Sequence, residues 1–396
     1  MFSRRIDRLT GSLIREILQL TQRPEVISFA AGLPAPDVMP HVDFSDIPED
    51  MRQYGPTEGE MELRVAVAQQ LSALGRECTP QQVLITSGSQ QGVDLVAKLF
   101  IDEGTPVALE SPTYLAAIQA FRLFGTEFVD LPLSSDGIAP AALAAAIAQR
   151  RPAFVYLIPD FQNPSGVCYS AQQRAELAGV LEASGLPLVE DEPYRELMYD
   201  PVDRTPICSL LKNAPWIYLG SFSKTLCPGM RIGYLACSPE FFPLFVRLKQ
   251  ATDLHSNRFA QRWIAGFVSG PAYDSHLQHL RDYYRIRRDA MDAALQRHFR
   301  DLAEWQIPHG GLFFWVRLKH ACDTRLLLPQ ALQRNVAFMP GEPFHANGIE
   351  TSGAIRLNFS HATPERIATG IAILADVIRA QRAGSFPKKA DVPNCS

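Results

Sequence analysis

The sequence predicts an α/β protein with a mostly parallel, seven-stranded sheet in a large domain and a smaller α+β domain. Between residues 82 and 237, short β-rich runs alternate with helical stretches, which is typical of βαβ units in a buried sheet. Beyond Phe241 the pattern turns helical, and strands return in "GGLFFWVRL" and "AIRLNFS". The chain of 396 residues also exceeds the roughly 250–300 at which one core stops growing, so two lobes are expected. The seven predicted strands are "QVLIT", "PVALE", "TEFVDL", "AFVYLI", "LPLVE", "WIYLG" and "RIGYLAC".

These patterns divide the chain into four predicted segments. Residues 1–40 form an N-terminal segment that packs on the small domain, and residues 41–285 form the large domain. Residues 286–382 form the small domain. Residues 383–396, "AGSFPKKADVPNCS", are expected to be a disordered tail because few of their side chains could join a core.

The composition favours a protein that acts on small molecules in the cytoplasm. A net charge of −4 gives no electrostatic reason to expect nucleic acid or an anionic membrane as a partner. The seven cysteines never form a C-x-x-C pair, which argues against a disulfide framework and against a zinc site. The first residues lack the apolar core of a signal peptide, and no apolar run is long enough to span a membrane.

The stretch "SFSKTLCPGMRIGY" follows the predicted strand "WIYLG" and places Lys224 among Ser221, Ser223 and Arg231. Ligands of α/β sheets bind beyond the carboxyl ends of strands. Two hydroxyls and a guanidinium there could hold a phosphate, and a desolvated lysine beside them would be a nucleophile suited to a Schiff base. For a lysine taken alone, a solvated surface charge is the competing interpretation.

A phosphate site beside such a lysine indicates pyridoxal phosphate, which also needs an acid at its pyridine nitrogen and donors at its phenolic oxygen. Asp191 in "LPLVEDEPYREL" follows a buried strand and could hold the pyridinium proton, although a turn or helix cap is the alternative. Tyr194 could donate to the phenolic oxygen, or it could be an ordinary half-buried tyrosine.

Three further motifs follow predicted strands. Asn163 in "NPSG" could reach the phenolic oxygen, although its composition alone predicts only a turn. Ser89 and Gln90 in "TSGSQQG" open a helix whose N-terminus could bind an anion or could merely be capped. Tyr114 in "ESPTY" could stack on the cofactor ring or fill core space. Each motif is weak alone, but together they place chemically suited residues at the ends of successive strands.

With these residues identified, the chain resembles the fold type I pyridoxal-phosphate aminotransferases of class I and II over nearly its whole length. The stretch around Lys224 is the most specific element of this resemblance. The other motifs, in chain order, are "QYGPTEGEMELR", "TSGSQQG", "ESPTY", "NPSG", "EDEPY" and "IRLNFS".

The resemblance implies a role for each of these residues. Lys224 carries the cofactor as a Schiff base and is catalytic together with Asp191, at the pyridine nitrogen, and Tyr114, stacked on the ring. Asn163 and Tyr194 hold the phenolic oxygen. The residues that hold the phosphate are Ser89, Gln90, Ser221, Ser223 and Arg231, joined by Tyr54 of a neighbouring subunit. Such a composite site requires a homodimer.

The resemblance also implies where the substrate binds. Arg356 in "AIRLNFS" matches the arginine that grips the α-carboxylate beside Asn163, with a surface strand arginine as the alternative. The opening "GSLIREILQLTQRPEVISFAAGLPAPDVMP" is similar to 2-aminoadipate, kynurenine, branched-chain and aromatic aminotransferases, in which this segment is a mobile cover over the substrate. Ser12 and Arg15 match positions that recognise acidic side chains there, and Gly32 and Leu33 lie at the substrate mouth; Arg15 could instead be a surface residue.

The implied activity is a ping-pong transfer of the amino group of an α-amino acid, of 2-aminoadipate, aromatic or branched-chain type, to a 2-oxo acid such as 2-oxoglutarate. A pyridoxal-phosphate lyase or decarboxylase is an alternative, because the cofactor residues do not select which Cα bond breaks. The other alternative is a non-catalytic sensor, since the same domain occurs behind a DNA-binding helix-turn-helix in transcription regulators. No such domain precedes the motifs, so we expect the free-standing enzyme.

Overall fold

The fold is built around one large sheet, which two smaller sheets accompany. The structure is a computed structural model, and it describes residues 2–9, 23–45, 48–320 and 322–383. The strands of all three sheets, in chain order, are β1 (Ile27–Ser28), β2 (Val83–Thr86), β3 (Pro106–Ser111), β4 (Glu127–Ser134), β5 (Gly137–Ile138), β6 (Val155–Leu157), β7 (Leu188–Asp191), β8 (Trp216–Ser221), β9 (Gly233–Cys237), β10 (Ala303–Glu304), β11 (Phe313–Leu318), β12 (Val336–Ala337), β13 (Met339–Pro340) and β14 (Ala354–Asn358). The helices are α1 (Met61–Ala73), α2 (Ser89–Phe100), α3 (Leu115–Leu123), α4 (Pro140–Arg150), α5 (Ala171–Ser184), α6 (Ile207–Leu210), α7 (Phe242–Asp253), α8 (Arg258–Val268), α9 (Tyr273–His298), α10 (Leu328–Gln333) and α11 (Pro364–Arg382). None of the helices in these ranges is both long and apolar enough to cross a membrane.

The large sheet has the strand order β2-β9-β8-β7-β6-β3-β4-β5. Strands β8, β7, β6, β3 and β4 are parallel, whereas β9 is antiparallel to both of its neighbours. All seven predicted runs form strands of this sheet, so the predicted α/β class is confirmed. The sheet also contains β5, which pairs with the end of β4 through a tight hairpin and is too short to give a hydrophobic pattern of its own.

The central strands are buried on both faces, which explains their continuous apolar sequences. In β6, Val155 and Leu157 pack into the core on one face, while Tyr156 packs into the core on the other. Because neither face can hold unpaired polar groups, polar side chains that serve a ligand must follow the strand ends.

A second, antiparallel sheet with the order β10-β11-β14-β13 lies in the C-terminal part of the chain. Strand β1 pairs in parallel with β12, and Phe29 connects β12 to β14: its N–H donates to Ala337 O at 2.8 Å, and its carbonyl accepts from Asn358 N–H at 2.8 Å. These hydrogen bonds hold the residues after Phe29 in a fixed position beside the second sheet.

The predicted domain limits remain a prediction. Helix α9 continues without interruption across the predicted limit at residue 285. Of the predicted tail, only Ala383 belongs to the described residues.

Several helix boundaries follow directly from local chemistry. Ser170 caps α5 by accepting from Gln173 N–H at 3.2 Å, and Gly185 ends the same helix at a φ of 65°. Thr363 caps α11, whose first residue is a proline that needs no hydrogen-bond acceptor.

Two buried ion pairs that share Asp160 fix the loop that follows β6. Asp160 accepts from Arg174 at 2.5 Å and from Arg195 at 2.8 Å, and all three side chains are buried. Arg174 belongs to α5 and also donates to the carbonyls of Pro159 and Tyr169, at 3.0 Å each. The two ion pairs therefore link the ends of β6 and β7 to α5.

We expect Asp160→Asn to destabilise the protein by about 3–5 kcal/mol, because two buried guanidinium groups lose the charge that compensates them. The measurement is the midpoint of urea unfolding at fixed protein concentration. Glu127→Gln is the matched control, since it removes the acid of an exposed ion pair with Arg150 and should hardly move the midpoint. Equal shifts for the two variants would contradict this account of Asp160.

Candidate active site

A cavity of about 300 Å³ lies beyond the carboxyl ends of the parallel strands β3, β6, β7 and β8. Nearly all of the predicted site residues within the described ranges line it: Gly32, Ser89, Gln90, Tyr114, Asn163, Asp191, Tyr194, Ser221, Ser223, Lys224, Arg231 and Arg356. Residues from distant parts of the chain therefore converge as strand order predicts.

Lys224 lies in the loop after β8, and its Nζ donates to the carbonyl of Gly32 at 2.8 Å. The loop turns sharply because Ser223 N–H donates to Ser221 Oγ at 3.1 Å. Burial, and then the positive charges of Arg356 and Arg231, lower the pKa of Lys224 to about 8. The lysine is therefore much easier to deprotonate than a solvated surface lysine.

Asp191 ends β7 and is only 2% exposed. Its Oδ2 accepts from the hydroxyl of Tyr156 at 2.6 Å, whereas its buried Oδ1 has no hydrogen-bond partner among the described residues. Burial raises the pKa of Asp191 to about 7; the Tyr156 hydrogen bond opposes this increase and the Glu110 carboxylate adds to it. A buried acceptor without a partner is costly unless a ligand supplies a donor.

Ser89 and Gln90 begin α2, whose 12 residues direct the positive end of the helix dipole at one side of the cavity. Gly88, at a φ of 79°, lets Arg231 lie against the backbone, because a Cβ at Gly88 would be 2.4 Å from Arg231 Nη2. Arg231 Nη1 also donates to Ser223 Oγ at 3.3 Å. These hydroxyl, amide and guanidinium groups form a cradle for an anion.

Arg356, on β14, is 7% exposed, which rules out the alternative of a surface arginine. Its Nη1 donates to Asn163 Oδ1 and its Nη2 to Ala30 O, each at 2.7 Å. The guanidinium stacks on the ring of Phe313 at 4.2 Å, and its Nε has no partner in the described part of the chain. Burial lowers the pKa of Arg356 to about 10. Asn163 also donates to the Tyr194 hydroxyl at 3.4 Å.

Tyr114 and Tyr194 complete the aromatic lining of the cavity. Burial, followed by the charge of Asp191, raises the pKa of Tyr114 to about 12. Burial also raises the pKa of Tyr194. Both phenols therefore remain protonated and can donate hydrogen bonds at neutral pH.

Tyr54 lies outside the cavity of its own chain. It is 75% exposed and lines a separate groove, where its ring and the His255 ring are T-shaped with centroids 5.8 Å apart. Its predicted role in a neighbouring subunit stays a prediction. Ser12 and Arg15 lie outside the described residues.

Sequence reasoning did not single out several residues near the site, of which three bear on its chemistry. Phe313 and Met339 line the cavity, and Tyr156 bonds to Asp191. Each lies within an apolar strand or beside one, where a core residue and a site residue give the same pattern. The polar hydroxyl of Tyr156 in a strand buried on both faces was the one available signal.

Comparison with known proteins agrees with this geometry. The family described as "Aminotransferase class I and II" matches residues 26–374. The chain is 39% identical to the 2-aminoadipate transaminase of Thermus thermophilus, with 96% of both chains covered. It is 37% identical to aromatic-amino-acid aminotransferase 1 of Thermococcus litoralis, with 96% of this chain and 94% of the relative covered.

A solved structure shows the same fold. The α-aminoadipate aminotransferase of Thermus thermophilus, complexed with N-(5'-phosphopyridoxyl)-L-leucine, superposes with a TM-score of 0.89 at 36% identity, and 96% of this chain and 98% of that chain are covered. The chain therefore belongs to the class I and II aminotransferase family and has the fold type I architecture that its motifs predicted.

Proposed function

We propose that this protein is a pyridoxal-phosphate-dependent aminotransferase that moves the amino group of an α-amino acid to a 2-oxo acid such as 2-oxoglutarate. Family membership confirms the reaction class and the cofactor that the sequence predicted. The observation that carries the assignment for this chain is that Lys224, Asp191 and Arg356 line one cavity. Among the described residues, the buried Oδ1 of Asp191 has no hydrogen-bond partner.

The residues present fit the cofactor. The buried Oδ1 of Asp191 needs a donor, which a protonated pyridine nitrogen would provide, and the cradle around Gly88 suits a phosphate. Asn163 and Tyr194 would hold the phenolic oxygen, and Tyr114 would stack on the ring. When bound, pyridoxal phosphate supplies an aldehyde that accepts amines and a ring that stabilises negative charge at the substrate Cα.

The side chains of the protein divide the remaining tasks. Arg356 binds the α-carboxylate, for which its planar fork is suited. Lys224, with its lowered pKa, is the base that removes the proton from the substrate Cα, and in its protonated form it is the acid that gives that proton back later in the amino transfer. Asp191 would hold the proton of the pyridine nitrogen, and the positive charge there would help the ring to stabilise negative charge at Cα.

For the amino donor we propose 2-aminoadipate or an aromatic or branched-chain amino acid. The two relatives named above act on 2-aminoadipate and on aromatic amino acids, by their names. Phe313 and Met339 give the cavity an apolar wall, and Leu33, 45% exposed, lies at its edge. Arg15 is proposed to recognise acidic side chains and Gly32 to border the substrate. A Cβ at Gly32 would be 2.8 Å from the Phe313 ring.

We further propose a cytoplasmic homodimer with composite sites. Tyr54 is exposed and lies on a segment that Arg258 holds by donating to the carbonyls of Asp50, at 2.8 Å, and Gln53, at 3.0 Å. A tyrosine presented in this way is suited to reach the phosphate of a second subunit across a two-fold axis. The net charge of −4 supports the absence of nucleic-acid and membrane partners.

We expect Lys224→Ala to lower kcat by about 10²–10⁴-fold, because the variant lacks both the covalent anchor and the base. The measurement follows the absorbance of the bound cofactor after addition of an amino acid, and then after addition of 2-oxoglutarate. Lys212→Ala is the control, since this exposed lysine is remote from the cavity. Full turnover by Lys224→Ala would refute the proposed function.

If Arg15 recognises acidic side chains, Arg15→Ala should lower kcat/KM for 2-aminoadipate by roughly 10–100-fold and leave kcat/KM for leucine nearly unchanged, since one charged hydrogen bond is lost. Arg23→Ala removes a positive charge eight positions further along the chain and serves as the control. A proportional loss for both donors would show that Arg15 does not select the side chain.

A hybrid dimer tests the composite site. Tyr54→Ala and Lys224→Ala chains, co-expressed with different tags, should form a heterodimer with roughly half of the wild-type activity, because one of its two sites has both residues intact. Each homodimer should bind pyridoxal phosphate more weakly or turn over slowly. An inactive heterodimer would mean that Tyr54 serves no site in the partner.

A further inference from the structure

Tyr156 is a buried titratable residue beside the site that has no role in the proposed mechanism. It is fully buried on β6 and does not line the cavity, and its ring packs edge-on against Phe121 at 5.6 Å. Its hydroxyl donates to Asp191 Oδ2 at 2.6 Å, a short distance that is typical of an O–H donor with a charged acceptor.

We propose that Tyr156 is a positioning residue for the reaction: its hydroxyl fixes one oxygen of Asp191 and presents the other, still charged, to the pyridine nitrogen. This inference rests on the proposed function, because the pyridine nitrogen belongs to the proposed cofactor.

The sheet register explains how the two side chains meet. In the parallel pair of β6 and β7, Tyr156 is paired with Val189, and Asp191 is two residues further along the same face. A tyrosine is long enough to extend over that distance toward the strand end. The hydrogen bond to Oδ2 leaves Oδ1, which is buried and has no partner among the residues described, as the oxygen available to a ligand.

The charges around Asp191 show why a donor is needed there. Glu110, on β3, which pairs with the other edge of β6, is a like charge, while Tyr114 and Tyr194 are neutral phenols. Burial and Glu110 both favour the neutral carboxyl, which could not hold a pyridinium proton. The hydrogen bond from Tyr156 acts in the opposite direction. Burial, and then the charge of Asp191, raise the pKa of Tyr156 well above 10, so Tyr156 always donates.

The same core contains a matched control. Tyr169 is also buried, and its hydroxyl donates to Glu110 Oε1 at 2.8 Å. Glu110 accepts three further hydrogen bonds, from Ile158 N–H at 3.0 Å, from Gln162 Nε2 at 2.8 Å and from Thr113 Oγ1 at 3.3 Å. Loss of the Tyr169 hydroxyl removes a comparable buried hydrogen bond but leaves the partners of Asp191 in place. It makes Glu110 easier to protonate, so any effect that reaches Asp191 through the Glu110 charge has the opposite sign to the effect expected in Tyr156→Phe.

The experiment compares Tyr156→Phe, Tyr169→Phe and the wild-type holoenzyme. In Tyr156→Phe, the acidic limb of the pH profile of kcat/KM should move upward by about one pH unit, which is a tenfold change in an ionisation constant. At neutral pH, kcat should fall about tenfold, and the ¹⁵N resonance of bound, ring-labelled pyridoxal phosphate should move toward its unprotonated position. Tyr169→Phe should show neither the upward shift of the acidic limb nor the movement of the resonance toward its unprotonated position, even if both variants unfold at lower urea concentrations.

Identical pH profiles and ¹⁵N resonances for the wild type and Tyr156→Phe, or equal changes in both variants, would overturn the inference. A wild-type enzyme that shows no transamination would instead refute the proposed function, so the two failures are distinct. If Tyr156→Phe does not fold, the hydroxyl proton resonance of Tyr156 in the wild type decides. It should move upfield in Asp191→Asn, where the acceptor is neutral and weaker, and an unchanged resonance would overturn the inference.

Discussion

The burial of the large sheet on both faces is the constraint on which the rest of the molecule depends. Strands such as β6 and β8 contact core residues above and below, so their interiors cannot accommodate an unsatisfied polar group. Most of the polar side chains that line the cavity therefore lie at or just beyond the carboxyl ends of strands of this sheet. Because β3, β6, β7 and β8 are parallel, those ends meet at one edge, and the cavity forms there.

Within that cavity, desolvation sets the chemistry as much as the identity of the residues does. Lys224, Arg356 and Arg231 are cations that share a small volume, and together with burial they make Lys224 easier to deprotonate. The same burial makes Asp191 easier to protonate, and its hydrogen bond from Tyr156 opposes that tendency. Burial thus makes a base available near neutral pH at Lys224, while Asp191 depends on its hydrogen bond from Tyr156 to stay charged.

The N-terminal residues connect this site to the second sheet. The carbonyls of Ala30 and Gly32 accept hydrogen bonds from Arg356 and Lys224, and Phe29, immediately before them, is bonded to both Ala337 and Asn358. A ligand that engages the arginine or the lysine must compete with, or rearrange around, these carbonyls. The segment is therefore hydrogen-bonded directly to the two residues that we propose bind the substrate carboxylate and move the proton.

The sequence by itself determined seven of the eight strands of the large sheet and most of the cavity residues, because hydrophobic runs mark buried strands and polar motifs follow their ends. It could not reveal that Arg356 is buried against Phe313, that Tyr156 bonds to Asp191, or that Ala30 lies against the site. These contacts join residues that are distant in the chain, and no local periodicity records them. Only the tertiary structure decided them, since strand order and register determine which side chains share a face, and burial then determines how readily each one gains or loses a proton.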